Sequence, residues 1–147
     1  MEELQKAAKI AFASEFTFYL KAHFFHWNVE GINFRELHDL FGTVYEEVYG
    51  SIDDFAEKIR SLGSYAPGSN SRFSVLSYID DEQQVIPAEA MVSELLTDSD
   101  NMVKILKRVY DMAEAAGEHG FSNFLAERMD AHEKHGWMLR ASSKGGQ

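Results

Sequence analysis

From Phe34 to Leu62 apolar side chains return every three or four residues, at Leu37, Phe41, Val44, Val48, Ile52, Phe55, Ile59 and Leu62. That spacing matches one face of an α-helix and predicts a long amphipathic helix. Asn33, with Glu36 three residues on, has the form of a capping-box start, and Gly63 that of a stop. Glu2 to about Asn28 is rich in helix formers and predicts an earlier helix, joined to the second by a connector, Val29 to Ile32, that contains Gly31. Beyond Gly63 the run SYAPGSNS predicts a loop, and Arg72 to Ile79 a short helix. Pro87 suits the first position of a third long helix reaching about Ala116, with Met91, Leu95, Met102, Ile105, Leu106, Val109 and Met112 inward. A fourth is expected from about Gly120 to Ser142, with Phe121, Leu125, Met129, Met138 and Leu139 facing the core. No stretch alternates as a strand would. The pattern therefore predicts an all-α four-helix bundle with a short helix in the crossover between the second and third long helices.

At 147 residues, with no repeat and no low-complexity tract, residues 1–147 are expected to form one domain with a core of its own. The absence of cysteine excludes disulfides, thiolate metal sites and thiol catalysis, and fits a reducing compartment. The opening MEELQKAAKI lacks the basic region and apolar run of a secretory leader, and no uncharged apolar stretch is long enough to span a bilayer. A soluble cytoplasmic protein is expected. The formal charge of −10, from 24 acidic and 14 basic side chains, opposes a general affinity for nucleic acid. It suits a shell that draws cations, and equally an ordinary solvated acidic surface.

Six histidines are candidates for chemistry: His23, His26, His38, His119, His132 and His135. His132 and His135 stand in HEKH, spaced i and i+3. The zinc-protease pattern needs i and i+4 to put both rings on one face. His132 also continues the stripe of Phe121, Leu125 and Met129, which favours a core histidine. Asp53 and Glu57, at i and i+4, set two hard oxygen ligands on one face of the second helix, a set suited to iron. Acidic pairs on solvated helices are ordinary, and the pair gains meaning only beside His26, which closes the first helix, and His38, one turn into the second. His38 and Asp53 are about 22 Å apart along the helix axis, at about 1.5 Å per residue, so one ion cannot bridge them. They nevertheless flank the same side. If this helix packed antiparallel against its own copy across a twofold axis, His38 of one chain would approach Asp53 and Glu57 of the other, making two equivalent mixed nitrogen and oxygen sites. Gly42 and Gly50, one turn either side of Glu46, would permit close backbone approach there.

The segment HWNVEGINFRELH, residues 26–38, followed by DDFAEKIRSLG, residues 53–63, resembles the signature of the Dps family of miniferritins. HEKHGWMLRA, residues 132–141, is similar to that family's closing helix. With the helical layout the resemblance spans nearly the whole chain and implies ferritin-like connectivity. It also implies a cage of twelve subunits that oxidises Fe(II), generally with hydrogen peroxide rather than dioxygen, and stores Fe(III) mineral, protecting against oxidative stress. By the resemblance His26, His38, Asp53 and Glu57 are the iron ligands between twofold-related subunits. Trp27 takes the place of a residue that supplies electrons when oxidant is in excess; an aromatic packed at a helix end is the alternative. His23 is either a partner behind the site or an ordinary surface or core histidine. Glu118 and Asp130 fall where the family lines its threefold pores, or are solvated helix-end charges.

The chain departs from the family in three respects. Gly42 stands where many members carry an acidic residue that helps to hold a second iron. The basic tail with which some members bind DNA is missing, since Glu2, Glu3, Lys6 and Lys9 cancel and RASSKGGQ adds only Arg140 and Lys144. There is no Glu-x-x-His, the motif of di-iron sites built inside one bundle. The expectation is a homo-oligomeric ferroxidase acting on Fe(II) with peroxide or dioxygen, with no membrane partner. The rivals are a DNA-coating nucleoid protein with little iron chemistry and a purely structural helical bundle.

Overall fold

The computed structural model describes residues 1–144, which form α1 (Glu2–Asn28), α2 (Phe34–Ser61), α3 (Asn70–Leu76), α4 (Ala88–Ala115) and α5 (His119–Ser142). No strand occurs among the described residues, and none of these helices is long and apolar enough to cross a membrane. Short connectors fold α1 against α2 and α4 against α5 as antiparallel pairs. The pairs join chiefly through α1 and α4, with α3 packed on α1, whereas α2 and α5 touch only sparsely. The four-helix architecture with its crossover helix is the predicted one.

Local chemistry sets three boundaries differently from the pattern. The Asn33 side chain makes no cap bond, so the expected capping box does not form. The entry to α2 is closed by backbone, Phe34 N–H donating to the Gly31 carbonyl at 3.1 Å, and Gly31 supplies the φ of +120° that this turn requires. Pro87 is the extended residue before α4 and not its first helical one. The short helix begins at Asn70, earlier than expected, because the Ser69 hydroxyl accepts from the Arg72 N–H at 3.2 Å.

On α2 the apolar face follows its spacing at Leu37, Phe41, Val44, Val48, Phe55, Ile59 and Leu62, all buried, while Ile52 is only half-buried. Each is worth about 1.5–3 kcal/mol of transfer free energy for the larger side chains. Helix α1 is enclosed by α2, α3 and α4, so even Ser14, Glu15 and Lys21 are removed from water. On α5 the expected stripe holds at Phe121, Leu125, Leu139 and the core histidine His132, and fails at two methionines. Met129 and Met138 are only half-buried, and the buried line runs Phe121, Leu125, Arg128, His132, His135, Leu139.

That line carries a buried ionic network. Arg128 donates from Nε to Glu15 Oε2 at 3.0 Å and from its terminal nitrogens to both oxygens of Glu47. His132 Nε2 lies 2.6 Å from Glu15 Oε1, and His135 Nε2 lies 2.8 Å from Glu47 Oε1. Ionised carboxylates only accept, so each imidazole carries its proton on Nε2. The Nδ1 atoms of both rings are buried without a partner. On the neutral His135 ring this atom is an unmet acceptor, and charging the ring would turn it into an unmet donor on a buried cation. Burial accordingly depresses the His135 pKa, outweighing the Glu47 hydrogen bond. Burial raises the Glu47 carboxyl, but hydrogen bonds from His135 and Arg128 prevail and hold it at about 2. A second pairing, Lys21 Nζ to Asp98 at 2.8 Å and Glu94 at 3.1 Å, ties α1 to α4.

Removing the guanidinium should expose the cost of this arrangement. Arg128→Met leaves the fully buried Glu15 carboxylate without its guanidinium partner and should lower unfolding free energy by about 3–5 kcal/mol in urea titrations. The double change Glu15→Gln with Arg128→Met should cost less than the single one. Acid should act on the same network. His135 and Glu47 both have native pKa values below the ordinary 6.5 and 4.5, so their contributions are complete above those values and decline on acidification. His135 contributes its loss first, below pH 6.5, and Glu47 follows between 4.5 and about 2. The urea midpoint should fall between about pH 7 and pH 5. An equally steep fall in His135→Gln would contradict the assignment.

Candidate metal centre

His26 lies in the last turn of α1 and His38 in the first turns of α2, and the connector between the helices folds one onto the other. Their rings stack with centroids 3.8 Å apart and planes inclined by 18°. Nδ1 of His26 is 2.7 Å from the His38 carbonyl, and Nδ1 of His38 is 2.7 Å from the His26 carbonyl. A carbonyl can only accept, so both protons sit on Nδ1, and in the neutral rings both Nε2 atoms keep free lone pairs. This reciprocal backbone clasp fixes tautomer and orientation together, as the outer hydrogen bonds of metal-binding histidines generally do.

Gly42 belongs to this clasp. A Cβ built on it would stand 3.2 Å from both Cε1 and Nδ1 of His26, so the missing side chain makes room for the ring of its own chain. The approach of a second backbone, expected from sequence at Gly42 and Gly50, has open space only at Gly50.

An aromatic group adjoins the histidines. His23 stacks on Tyr45 with centroids 3.7 Å apart and planes at 9°, and lies 4.1 Å from the ring of Trp27. Tyr45 is 5.1 Å from the His26 ring. The Tyr19 hydroxyl is 3.0 Å from His23 Nδ1. Burial, with Tyr49 and Tyr45 nearby, raises the Tyr19 pKa, so this phenol keeps its proton near neutrality. Trp27 is 58% exposed and is not packed into the helix end. His23 is half-buried and links Tyr19, Tyr45 and Trp27.

Asp53 and Glu57 are exposed and, with Asp54, each offer a carboxylate oxygen within 4.8 Å of the others. They do not meet His26 and His38 in the protomer, because about 22 Å of α2 separates the groups at about 1.5 Å per residue. Asp54 and Glu57 also face a groove between α2 and α5 with Lys58 and Glu127, and an adjoining groove reaches Glu46, Glu47 and Arg128. Glu118 is half-buried at the start of α5 and Asp130 is exposed about 18 Å further along, at about 1.5 Å per residue, so they too stay apart in one protomer.

Sequence reasoning passed over Asp54, Glu15, Glu47, Arg128, Tyr19 and Tyr45. Two signals were available. Arg128, His132 and His135 share the helical spacing of Leu125 and Leu139, and Glu15 sits within the otherwise apolar AFASEFTFY. Tyr19, His23 and Trp27 recur one turn apart on α1.

The family model for the ferritin-like domain matches residues 5–144. The chain is 35% identical over 123 residues to the DNA protection during starvation protein of Brevibacillus brevis, which spans 84% of this chain and 83% of that one. It is 33% identical over 135 residues to an uncharacterized low temperature-induced protein of Nostoc, with 90% and 75% covered. The crystal structure of a Dps protein from Bacillus brevis superposes with a TM-score of 0.92 at 31% identity, covering 96% and 95% of the two chains. A Dps protein of Vibrio cholerae, described as one of the ferritin-like diiron-carboxylate proteins, superposes at 0.92 with 26% identity over 97% and 90%. With the helical layout and the clasped histidines of the HWN segment, these likenesses establish that the chain belongs to the Dps family of ferritin-like proteins.

Proposed function

We propose that the protein is a ferroxidase and iron-storage subunit, which binds Fe(II) between twofold-related chains, oxidises it with peroxide, and holds the Fe(III) product inside a cage of twelve. The reading is carried by the His26 and His38 clasp. Two imidazoles whose Nδ1–H groups are committed to backbone carbonyls present two Nε2 lone pairs side by side, and a divalent cation is the ligand that arrangement serves best.

Two nitrogens leave Fe(II) coordinatively unsaturated. Asp53 and Glu57 of a neighbouring subunit supply the hard oxygens that favour Fe(III) over Fe(II). An isologous contact along α2 brings the two half-sites together twice over. Peroxide, a two-electron oxidant, takes one electron from each of two Fe(II) ions; its O–O bond breaks to give two hydroxide ions, which become water with protons released as the ferric product hydrolyses. The acidic grooves between α2 and α5, with Asp54, Glu57 and Glu127, give the ferric product a surface on which to hydrolyse. Glu118 and Asp130 are our candidates for the route by which iron enters. Trp27, beside the clasp, is placed to give electrons when peroxide exceeds iron.

A DNA-coating role is the second reading, favoured by the name of the Brevibacillus relative, a DNA protection protein. The net charge of −10 opposes it, because binding to a polyanion rests mainly on phosphate neutralisation.

Two experiments test the iron reading. His38→Ala and Asp53→Ala should each lower rapid Fe(II) oxidation by at least about tenfold. Subunits of the two single variants, dissociated and reassembled together, form mixed contacts in which one site lacks both ligands and the other is complete. An equal random mixture should recover about a quarter of the wild-type rate. If mixed assemblies form and no activity returns, the ligands are not shared. Gly42→Ala should separate folding from metal binding. Alanine should hold or raise helix stability by up to about 1 kcal/mol. Its Cβ presses on the His26 ring, and anaerobic Fe(II) titration should show affinity weakened by about tenfold. Unchanged affinity would remove His26 from the site.

A further inference from the structure

We infer that the groove between α1 and α4 binds a medium-chain fatty acid, with its tail on an aliphatic floor and its carboxylate among Lys6, Lys104 and Arg108. The groove has a volume of about 250 Å³. Its floor consists of Ala7 and Ile10 of α1 and Ile105 and Val109 of α4, each buried or half-buried. Its positions on α1, from Glu3 to Ile10, follow one helix face for about 10 Å at about 1.5 Å per residue. Those on α4 keep a matching period, so the slot between the two packed helices is linear and suits an unbranched chain. It shares no residue with the acidic grooves between α2 and α5 or with the histidine clasp.

The charge around the groove identifies the head group. Lys6, Lys104 and Arg108 are exposed, and none of them forms an ion pair among the described residues. Acidic side chains outnumber basic ones by 24 to 14 in this chain, so three cations left without partners around one groove run against its composition. Lys104 and Arg108, at i and i+4, also repel one another along α4. Their neighbour Lys107, by contrast, is paired with Asp111 at 2.7 Å. Glu3 is the one carboxylate at the groove. A bound anion supplies the missing counter-charge, and the guanidinium offers a carboxylate two parallel hydrogen bonds. Phosphate or a nucleic-acid backbone would meet the cations and leave the floor uncovered. A carboxylate with an aliphatic tail satisfies both.

Tyr78 completes the groove. Its backbone N–H donates to the Ser14 hydroxyl at 2.9 Å, and that hydroxyl donates to the Ile10 carbonyl at 2.7 Å. The segment after α3 is thereby fixed beside α1, one turn beyond Ile10, and the Tyr78 ring lines that end of the groove although it is 64% exposed. A tail lying along the floor gives this ring an apolar surface to cover.

The test is calorimetric titration of the assembled, metal-free protein with decanoate below its micellar concentration. Saturable binding of one decanoate per subunit is expected. Octanoate should bind more weakly by about two- to fourfold for each methylene removed. Decan-1-ol, which keeps the tail and loses the charge, should bind at least about tenfold more weakly. The double variant Lys104→Gln with Arg108→Gln changes only exposed side chains and should lower decanoate affinity by about tenfold. A decanoate carrying a diazirine at its tail, photolysed on the wild-type protein, should label peptides containing Ile10 or Ile105, which locates the site without any variant. No saturable binding, equal affinity for decanol, undiminished affinity in the double variant or labelling elsewhere would each overturn the inference. Displacement of bound decanoate by duplex DNA at physiological salt would also overturn it, by making the three cations a surface for phosphate. None of these outcomes depends on whether the protein oxidises iron.

Discussion

The structure depends on a guanidinium buried where two helices barely meet. Helices α2 and α5 share little apolar contact, and Arg128 spans that seam by binding Glu47 of α2 and Glu15 of α1 together. Placing a charge there is expensive unless every hydrogen bond is met, and both carboxylates and two imidazoles are recruited to meet them. The consequence reaches the candidate metal-binding residues, because α2 carries Asp53 and Glu57 on its exposed face. A helix that drifted by one residue about its axis would turn those carboxylates away by about 100°.

The candidate centre is built on a different principle. Its histidines are held by main chain and its carboxylates stand free on an exposed helix face. Within one protomer the first half is finished and the second half is waiting. Such a division would suit a site completed by a second chain, since one protomer does not gather both groups.

Much of this was legible in the amino-acid order. The period of α2 declared its inward face, and the spacings marked the two histidines whose rings stack and two of the three carboxylates that cluster on α2. The miss on α5 has a simple cause. Hydrophobicity alone puts Met129 and Met138 inward, while the heptad spacing that Arg128 and His135 share with the core histidine His132 points the other way. The Asn33 cap failed because glycine freedom at Gly31 let the backbone close the turn unaided. Tyr19 and His23 escaped because a stacked or hydrogen-bonded aromatic has no signature in periodicity; only the packing of α1 on α2 reveals that Tyr45 completes the group.

The histidine clasp has a consequence for divergence. Because each imidazole is steered by a peptide carbonyl, which every residue type provides, the side chains around the centre can be exchanged widely without losing the aim of either ring. The constraint falls on the length of the connector that lays α1 against α2. A lineage can therefore rewrite most of its surface, and drift far in overall similarity, while the two nitrogens go on facing the same point in space.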